Sequence, residues 1–275
     1  PDGDRIGIAV KNDVGEWTLL NGNQTNIIFT EYIIRRKKEL NQLKGGEYTV
    51  KTIVTTELIK DIAEKNHIIC YDVYTGFKWI ADVIRKEGGE KFIGGGEESF
   101  GYMPGAFTRD KDGVSATSLM AEIAAWVKMQ NKTLYSFLKE IYAKYGFSQE
   151  RMIYIVRKGL SGAQEIKAMM EEFRHNTPKE INHSPVVLKK DYLSLEATNL
   201  QTGEKTHLNF ETKSDVLQFF LADGSKISVR PSGTEPKIKF YFEGRAQMKD
   251  INDYERAQQD ANARIDAIIK DLKLQ

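Results

Sequence analysis

Residues 48–74 read YTVKTIVTTELIKDIAEKNHIICYDVY, and this stretch decides the fold class of the chain. A β-branched run from Tyr48 to Thr55 predicts a buried strand, and the spacing of apolar residues from Thr56 to Asn66 predicts a short helix capped by Thr56. A second strand is expected from Ile68 to Tyr74. Strand, helix and strand in this order are typical of a parallel sheet covered by helices.

The alternation of strands and helices continues on both sides of this stretch. Strands are predicted at 5–10 and 91–95, and helices at 25–43, 77–86, 114–130 and 134–145. Residues 12–23 are polar and contain glycine, which is typical of a hairpin or a linker. The chain up to residue 146 therefore predicts an α/β domain with a mixed, mainly parallel sheet sandwiched by helices.

The pattern changes after Gly146, where short β-rich segments replace the alternation. Strands are predicted at 152–157, 186–188, 193–198, 216–221, 226–229 and 238–242, and helices at 163–175 and 251–272. A sheet-rich segment with one helix toward each end is typical of an α+β domain with an antiparallel sheet. The pattern therefore divides the chain after residue 146 into an α/β part and an α+β part.

Composition and net charge exclude several classes of function. The 275 residues carry 40 Lys and Arg against 39 Asp and Glu, so no overall field favours nucleic acid or an anionic membrane. No run approaches the roughly 20 apolar residues that a membrane-spanning helix needs. The single cysteine, Cys70, lies in an apolar run and favours a reducing, cytoplasmic compartment.

A loop rich in phosphate-binding side chains joins two predicted strands near the C-terminus. We name it the basic loop, residues 230–237, with the sequence RPSGTEPK. Its candidate phosphate ligands are Arg230, Ser232, Gly233, Thr234 and Lys237. The arginine offers a planar fork of donors, the lysine a second charge, and the glycine lets successive N–H groups turn toward one anion. The alternative is an ordinary hairpin turn, which needs neither two hydroxyls nor two cations.

The acidic loop, residues 96–101 with the sequence GEESFG, follows the strand predicted at 91–95. Ligands usually bind at the carboxyl ends of strands in α/β sheets. Glu97 can accept hydrogen bonds from two neighbouring sugar hydroxyls, and the hydroxyl of Ser99 can complete the set. The alternative is a flexible, glycine-rich loop with solvated glutamates.

Lys78 lies in the first turn of the helix predicted at 77–86, after the sequence Thr75-Gly76-Phe77. The helix dipole disfavours a cation in this turn unless an anion lies nearby, so the position suggests a function. A solvated surface lysine remains the alternative.

Asp2 and Asp4 flank a glycine just before the first predicted strand. Carboxylates two residues apart on such a loop can converge on one hard cation, and Mg²⁺ prefers oxygen ligands of this kind. Arg5 beside them could reach a phosphate that the metal also contacts. The alternative is an Asx-type turn before a strand.

Taken together, these motifs resemble the α-D-phosphohexomutase family, in particular phosphoglucomutases and phosphomannomutases. Asp2, Asp4 and Arg5 match the end of the family's metal loop, and residues 75–78 resemble its lysine segment. The acidic loop matches the sugar-binding Gly-Glu-x-Ser loop, and the basic loop matches the phosphate-binding Arg-x-Ser-x-Thr loop. Order and spacing agree over essentially the whole chain.

The resemblance implies a domain organisation. Residues 1–20 would be the remnant of the metal-binding second domain, 21–146 the sugar-binding third domain, and 147–275 the phosphate-binding fourth domain. The family's phosphoserine loop would precede Pro1, so the missing N-terminal domains of the same chain are the expected partners.

The resemblance also implies roles for single residues. Asp2 and Asp4 would hold a Mg²⁺ cofactor, and Arg5 and Lys78 would be catalytic. Glu97 and Ser99 would hold the hydroxyls of a hexose phosphate, and the basic loop would hold its phosphate.

The activity that the resemblance implies is an intramolecular phosphotransfer. A phosphoglucomutase or phosphomannomutase interconverts hexose 1-phosphate and 6-phosphate through a phosphoserine enzyme and a bisphosphate intermediate. The sequence GEESFG resembles the sugar-binding loop of phosphoglucomutases more closely than that of phosphoglucosamine mutases. Two alternatives stay open: a non-catalytic phosphosugar-binding module, since these residues lack the phosphoserine, and a mutase for a pentose or aminosugar phosphate.

Overall fold

The structure of the chain is a computed structural model that describes residues 3–157, 159–233 and 235–274. The chain forms two compact units. The first extends to Gly146 and takes in Met248–Tyr254, and the second consists of Phe147–Gln247 and the segment from Glu255 onward. In the described part, no helix combines the length and the apolar character needed to cross a membrane.

The first unit is built on a four-stranded sheet. Its elements are β1 (Ile8–Lys11), β2 (Trp17–Leu20), α1 (Gly22–Glu39), β3 (Tyr48–Thr52), α2 (Leu58–Lys65), β4 (Ile69–Val73), α3 (Phe77–Glu87), β5 (Phe92–Gly96), β6 (Tyr102–Met103), α4 (Gly113–Met129) and α5 (Leu134–Tyr145). The strand order is β4-β3-β5-β6, in which β3 is parallel to β4 and β5 while β6 is antiparallel to β5. β1 and β2 form a separate antiparallel hairpin. The predicted mixed, mainly parallel sheet is confirmed.

Helix α3 shows how the sequence sets the position of an element. It begins after Gly76, with a φ of 115°, and ends at Gly88, with a φ of 88°. Both values lie in the left-handed region that glycine adopts without strain. Its apolar residues recur at helical spacing and pack against the sheet in one cluster. This cluster comprises Tyr48, Val50, Val73, Phe77, Ile80, Ile84, Phe92 and Met103. The first turn of α3 is thereby fixed close to the end of β4.

A buried group of charges ties the central strand to its neighbours. The side chain of Lys51 on β3 is fully buried, and its Nζ lies 2.7 Å from Asp72 Oδ1 on β4 and 3.0 Å from Glu57 Oε1 before α2. Burial alone would lower the pKa of Lys51, but the two carboxylates raise it well above its usual value. The lysine therefore stays charged, and loss of either partner would leave a buried charge less well paired.

The second unit is an antiparallel sheet with two helices. Its elements are β7 (Phe147–Val156), α6 (Gly159–His175), β8 (Glu180–Ile181), β9 (Ser184–Asp191), β10 (Glu196–Asn199), β11 (Lys205–His207), β12 (Leu217–Leu221), β13 (Lys226–Pro231), β14 (Lys237–Ala246) and α7 (Tyr254–Asp271). The strand order is β11-β10-β9-β12-β13-β14-β7, with β8 paired to β9. Every pairing is antiparallel, which confirms the predicted α+β domain.

One face of this sheet forms a core with both helices. Ile166 and Met170 from α6 and Ile265 and Ile268 from α7 belong to one buried cluster with alternate residues of β12, β13 and β14. The period of two in these strands places every second residue on this face. The residues between them, including Arg230, lie on the opposite face.

Several predicted element bounds are wrong. The strand predicted at 193–198 starts only at Glu196, because the chain turns before it and Leu195 adopts a φ of 60°. The strand predicted from residue 152 begins already at Phe147. Thr56 does not stand at the N-cap of α2, since the helix starts one residue later; its hydroxyl accepts a hydrogen bond from the N–H of Leu58 at 3.3 Å.

Candidate functional site

The acidic loop holds its first glutamate by both carboxylate oxygens. Glu97 follows β5 and exposes only 7% of its surface. Its Oε1 accepts a hydrogen bond from the main-chain N–H of Gly76 at 2.5 Å, and its Oε2 accepts one from the hydroxyl of Ser99 at 3.4 Å. Gly76 follows β4, so the two strand ends that flank β3 meet at this carboxylate. Each carboxylate oxygen has a further lone pair that a ligand hydroxyl can use.

The second glutamate of the acidic loop contacts buried threonines. Glu98 Oε2 lies 3.4 Å from the hydroxyls of both Thr52 and Thr55, which are buried and 2.8 Å apart. Burial and the neighbouring charge of Glu97 raise the pKa of Glu98 above its usual value. These contacts hold the loop against the end of β3.

Lys78 is an exposed cation that lies close in sequence to Gly76, the residue that binds the Glu97 carboxylate. It lies two residues after Gly76, and its Nζ is 4.9 Å from the centre of the Trp79 ring. Among the residues that the structure describes, no carboxylate lies within ion-pair distance of Lys78. A cation without an acidic partner in the first turn of a helix is suited to binding an anion.

The predicted metal loop is described only in part. Asp2 lies outside the described residues. Asp4 Oδ2 is 2.9 Å from Lys111 Nζ, and Asp4 Oδ1 is 3.6 Å from Arg5 Nε. The described residues contain no group of three or more His, Cys, Asp or Glu side chains that could hold a metal ion. By themselves they therefore do not fit a Mg²⁺ site, because the one carboxylate present is paired with a lysine.

Lys111 is a candidate site residue that the sequence analysis missed. It links Asp4 to the acidic loop, since its Nζ lies 5.5 Å from the centre of the Phe77 ring and a Cβ built on Gly101 would lie 3.1 Å from its Cδ. The hydrogen bond to Asp4 raises the pKa of Lys111. The sequence feature that could have indicated Lys111 is the charged run RDKDG at 109–113, between the acidic loop and a predicted helix.

The main chain of the basic loop forms a closed turn between β13 and β14. The N–H of Ser232 donates to the carbonyl of Lys237 at 2.7 Å, and the N–H of Lys237 donates to the carbonyl of Glu235 at 2.7 Å. The N–H of Ser232 is thus used within the loop, while the anion-binding turn around Gly233 stays a prediction. Gly233 is exposed, and Thr234 lies outside the described residues.

The cations of the basic loop differ in their surroundings. Lys237 Nζ is 3.0 Å from Glu235 Oε2 and 4.9 Å from the centre of the Tyr154 ring, so it already has an acidic partner within the loop. Arg230 is half-buried and lies opposite Lys239 on β14. Within the described ranges, no acidic side chain pairs with either Arg230 or Lys239. Lys239 is a second residue that the sequence analysis missed, because only strand register reveals its position.

A cavity of about 490 Å³ opens beside the basic loop. Its lining combines the first half of α6 with the loop itself. The lining residues are Gly159, Ala163, Ile166, Lys167, Met170, Asp215, Pro231, Ser232, Gly233, Glu235 and Pro236. This volume is within the range of small-molecule sites.

Two domain models of a single family match the chain. The α/β/α domain III of phosphoglucomutase/phosphomannomutase matches residues 21–145, and the C-terminal domain of the same family matches residues 165–261. The chain belongs to the phosphoglucomutase/phosphomannomutase family. The first match contains the acidic loop and the second contains the basic loop, in the order that the motifs predicted.

Named relatives agree with this family. Phosphoglucomutases from Staphylococcus aureus strains N315 and USA300 are each 36% identical to the chain over 242 residues, which is 88% of this chain and 43% of the relative. This member of the phosphoglucomutase/phosphomannomutase family therefore spans less than half the length of the curated relatives it matches.

Solved structures of the family share the fold. The phosphoglucomutase pp63/parafusin from Paramecium, in an open form, aligns with a TM-score of 0.65 at 20% identity, over 99% of this chain and 43% of that chain. A phosphoglucomutase/phosphomannomutase family protein from Burkholderia thailandensis aligns with a TM-score of 0.52 at 15% identity, over 97% and 45%. At these identities the likeness concerns the fold alone.

The structure brings some of the predicted site residues together. In this family member, Glu97 and Ser99 contact each other, and Asp4 and Arg5 lie within ion-pair distance. The basic loop belongs to the second unit, where Lys237 is paired with its own loop neighbour instead of standing free.

Proposed function

We propose that the full-length protein interconverts hexose 1-phosphate and hexose 6-phosphate, with glucose and mannose phosphates as the first candidates. This chain would supply the binding sites for the sugar and for the phosphate that is not reacting. The phosphoserine and the bisphosphate intermediate that the family resemblance implies would depend on the N-terminal domains.

The observation that carries the proposal is the Glu97 carboxylate. It is buried, it is oriented by Gly76 and Ser99, and each of its oxygens has a lone pair for a sugar hydroxyl. The sugar of such a substrate must bind in two orientations, one for each phosphate position. A carboxylate that accepts from a pair of neighbouring hydroxyls suits this task, because an acceptor of this kind does not require one fixed pattern of donors.

The basic loop supports a phosphate site. Arg230 and Lys239 face each other on adjacent strands without an acidic partner in the described part of the chain. Like charges directly opposite each other in a sheet are destabilising, and a bound phosphate dianion would remove this cost. We assign Arg230, Ser232, Gly233, Thr234 and Lys239 to this phosphate, with Lys237 as a weaker contributor because it is already paired with Glu235.

These residues would act by positioning and by charge neutralisation, which are the main sources of catalysis in phosphoryl transfer. The basic loop would hold the distal phosphate, and Glu97 and Ser99 would orient the sugar ring. Binding free energy from the distal phosphate can then lower the barrier at the reacting end. Lys78 and Arg5, which are exposed, are proposed to contact phosphate oxygens. The magnesium ligands Asp2 and Asp4 stay a prediction.

Replacement of Glu97 by Gln in the full-length protein tests the sugar site. The amide keeps the shape of the side chain but loses the charge, and hydrogen bonds to charged groups contribute about 1.5–3 kcal/mol each. We expect kcat/KM for the preferred hexose phosphate to fall roughly 10- to 100-fold, with a small change in melting temperature. Glu16→Gln, at an exposed position of the β1–β2 hairpin, is the matched control and should leave kcat/KM unchanged.

Equal losses of activity and melting temperature in Glu97→Gln would favour a purely structural glutamate. Assays of glucose, mannose and glucosamine 1-phosphates side by side would separate the proposed sugars from an aminosugar mutase. Without the phosphoserine domain, we expect this chain to bind phosphosugars but not to turn them over.

A further inference from the structure

Asn26 in helix α1 contacts the acidic loop although 71 residues separate it from Glu97. Its side chain is buried, with 1% of the residue exposed. Its Nδ2 donates to the main-chain carbonyl of Glu97 at 2.8 Å and to the carbonyl of Gly22 at 2.7 Å. One amide group therefore joins the start of α1 to the residue that carries the proposed sugar site.

The orientation of this amide is determined by its neighbours. Both close partners are carbonyl oxygens, which only the NH₂ group can serve, so Oδ1 must lie on the other side. Oδ1 has no hydrogen-bond donor among the residues that the structure describes. A Cβ built on Gly96 would lie 2.0 Å from Oδ1, so the loop can approach Asn26 only because residue 96 is a glycine.

Helix stability does not explain an asparagine at this position. Asparagine is a poor helix former in helix interiors, and a buried carbonyl oxygen without a partner costs free energy. The next residues of α1, Ile27, Ile28 and Phe29, are all buried, so an apolar side chain would suit the packing better. Positions that break local stability rules in this way tend to serve a function.

We propose that Asn26 is a positioning residue for Glu97. By holding the Glu97 carbonyl, it fixes the backbone from which the carboxylate reaches Gly76 and Ser99. The proposal rests on the proposed function in one respect, namely that the Glu97 carboxylate binds the sugar. Its structural part, that Asn26 holds the loop in one conformation, is independent of the reaction.

The chain offers a matched control in Asn66, a buried amide of the same unit. Asn66 Nδ2 also donates to the carbonyl four residues earlier, that of Ile62, at 2.7 Å, and to the hydroxyl of Tyr145 at 2.8 Å. Its Oδ1 accepts from Lys38. Truncation of Asn26 removes two hydrogen bonds and truncation of Asn66 removes three, but only Asn26 contacts the acidic loop.

The test compares Asn26→Ala and Asn66→Ala in the full-length protein by hydrogen exchange and by steady-state kinetics. The N–H of Glu97 donates to the carbonyl of Gly101 at 3.0 Å, so its exchange rate reports the order of the loop. We expect this exchange to be at least about tenfold faster in Asn26→Ala and unchanged in Asn66→Ala. KM for the hexose phosphate should rise by about tenfold or more in Asn26→Ala, with a smaller change in kcat.

The two readouts separate the failure of this inference from failure of the proposed function. Unchanged exchange at Glu97 in Asn26→Ala would overturn the inference, whatever the protein's activity. Faster exchange together with a wild-type protein that turns over no hexose phosphate would support the positioning role and refute the proposed function. Equal rises of KM in both variants would also overturn the inference, because they would trace the effect to general loss of stability.

Discussion

At the residue scale, the proposed phosphate site rests on a pair of cations without an acidic partner in the described ranges. Arg230 and Lys239 occupy opposing positions on β13 and β14. Two other cations of the same sheet have acidic partners: Lys226 lies 3.3 Å from Glu243, and Lys205 lies 2.9 Å from Glu196. The positive charges of Arg230 and Lys239 therefore lie where β13 and β14 meet the basic loop.

Replacement of Arg230 by Ala in the full-length protein should therefore weaken phosphosugar binding and relieve repulsion with Lys239. We expect kcat/KM to fall by about 100-fold, since a guanidinium makes paired hydrogen bonds with phosphate. Folding stability should stay the same or rise slightly. Steady-state kinetics and thermal unfolding measure the two effects.

The control for this substitution is Arg151→Ala on β7 of the same sheet. The guanidinium of Arg151 is bound to Asp266 and Asn262, so its loss should lower stability slightly and leave kcat/KM within about twofold. An unchanged kcat/KM in Arg230→Ala would remove the basic loop from the proposed site.

At the element scale, helix α1 begins in direct contact with the acidic loop. A Cβ built on Gly22, the first residue of α1, would lie 2.0 Å from the Glu98 carbonyl oxygen and 2.7 Å from the Phe100 N. The atoms in the way belong to the main chain, so no side-chain rotation can relieve the contact. The helix start and the loop therefore fix each other's position.

Gly22→Ala should destabilise the first unit by about 1–3 kcal/mol, because it forces backbone apart in a packed region. This outweighs the gain of about 1 kcal/mol that alanine usually brings to a helix. Urea unfolding followed by tryptophan fluorescence gives the difference. Gly7→Ala, where a Cβ would meet no atom within 4 Å, is the control and should be neutral. Equal stability of the two variants would contradict the close contact.

Local sequence patterns predicted most elements because periodicity and turn residues act over a few positions. Periodicity and turn residues correctly predicted the strands β3, β4 and β12 and the helix α5. The start of the strand predicted at 193–198 was wrong, because Leu195 adopts a left-handed conformation that a leucine does not signal in the sequence. Glu97 directly follows β5, as predicted, whereas Arg230 lies within β13, which extends two residues beyond the predicted strand end at Val229.

The rest of the candidate site depends on contacts between residues far apart in sequence. Lys111 belongs to the candidate site because it pairs with Asp4, and Asn26 belongs to it because it donates to the Glu97 carbonyl. Lys239 was visible only from the pairing of two strands. At Lys237 the sequence shows a cation but does not show its ion pair with Glu235.

At the scale of the whole molecule, each unit carries a proposed binding site of its own, the sugar site in the first and the phosphate site in the second. The first unit holds the acidic loop, Lys78, Lys111 and Asp4, and the second holds the basic loop. Since the chain spans 43% of the length of the S. aureus phosphoglucomutases, the reacting centre is proposed to include residues outside these 275. The two units would contribute binding, and the other domains the phosphoryl group.

The most direct test is turnover by the full-length protein, followed by ³¹P NMR with glucose 1-phosphate and mannose 1-phosphate as separate substrates. We predict that the signal of at least one 1-phosphate is replaced by that of the corresponding 6-phosphate until equilibrium is reached, and that Glu97→Gln slows this conversion. A folded, full-length protein that converts neither hexose phosphate would contradict the proposal.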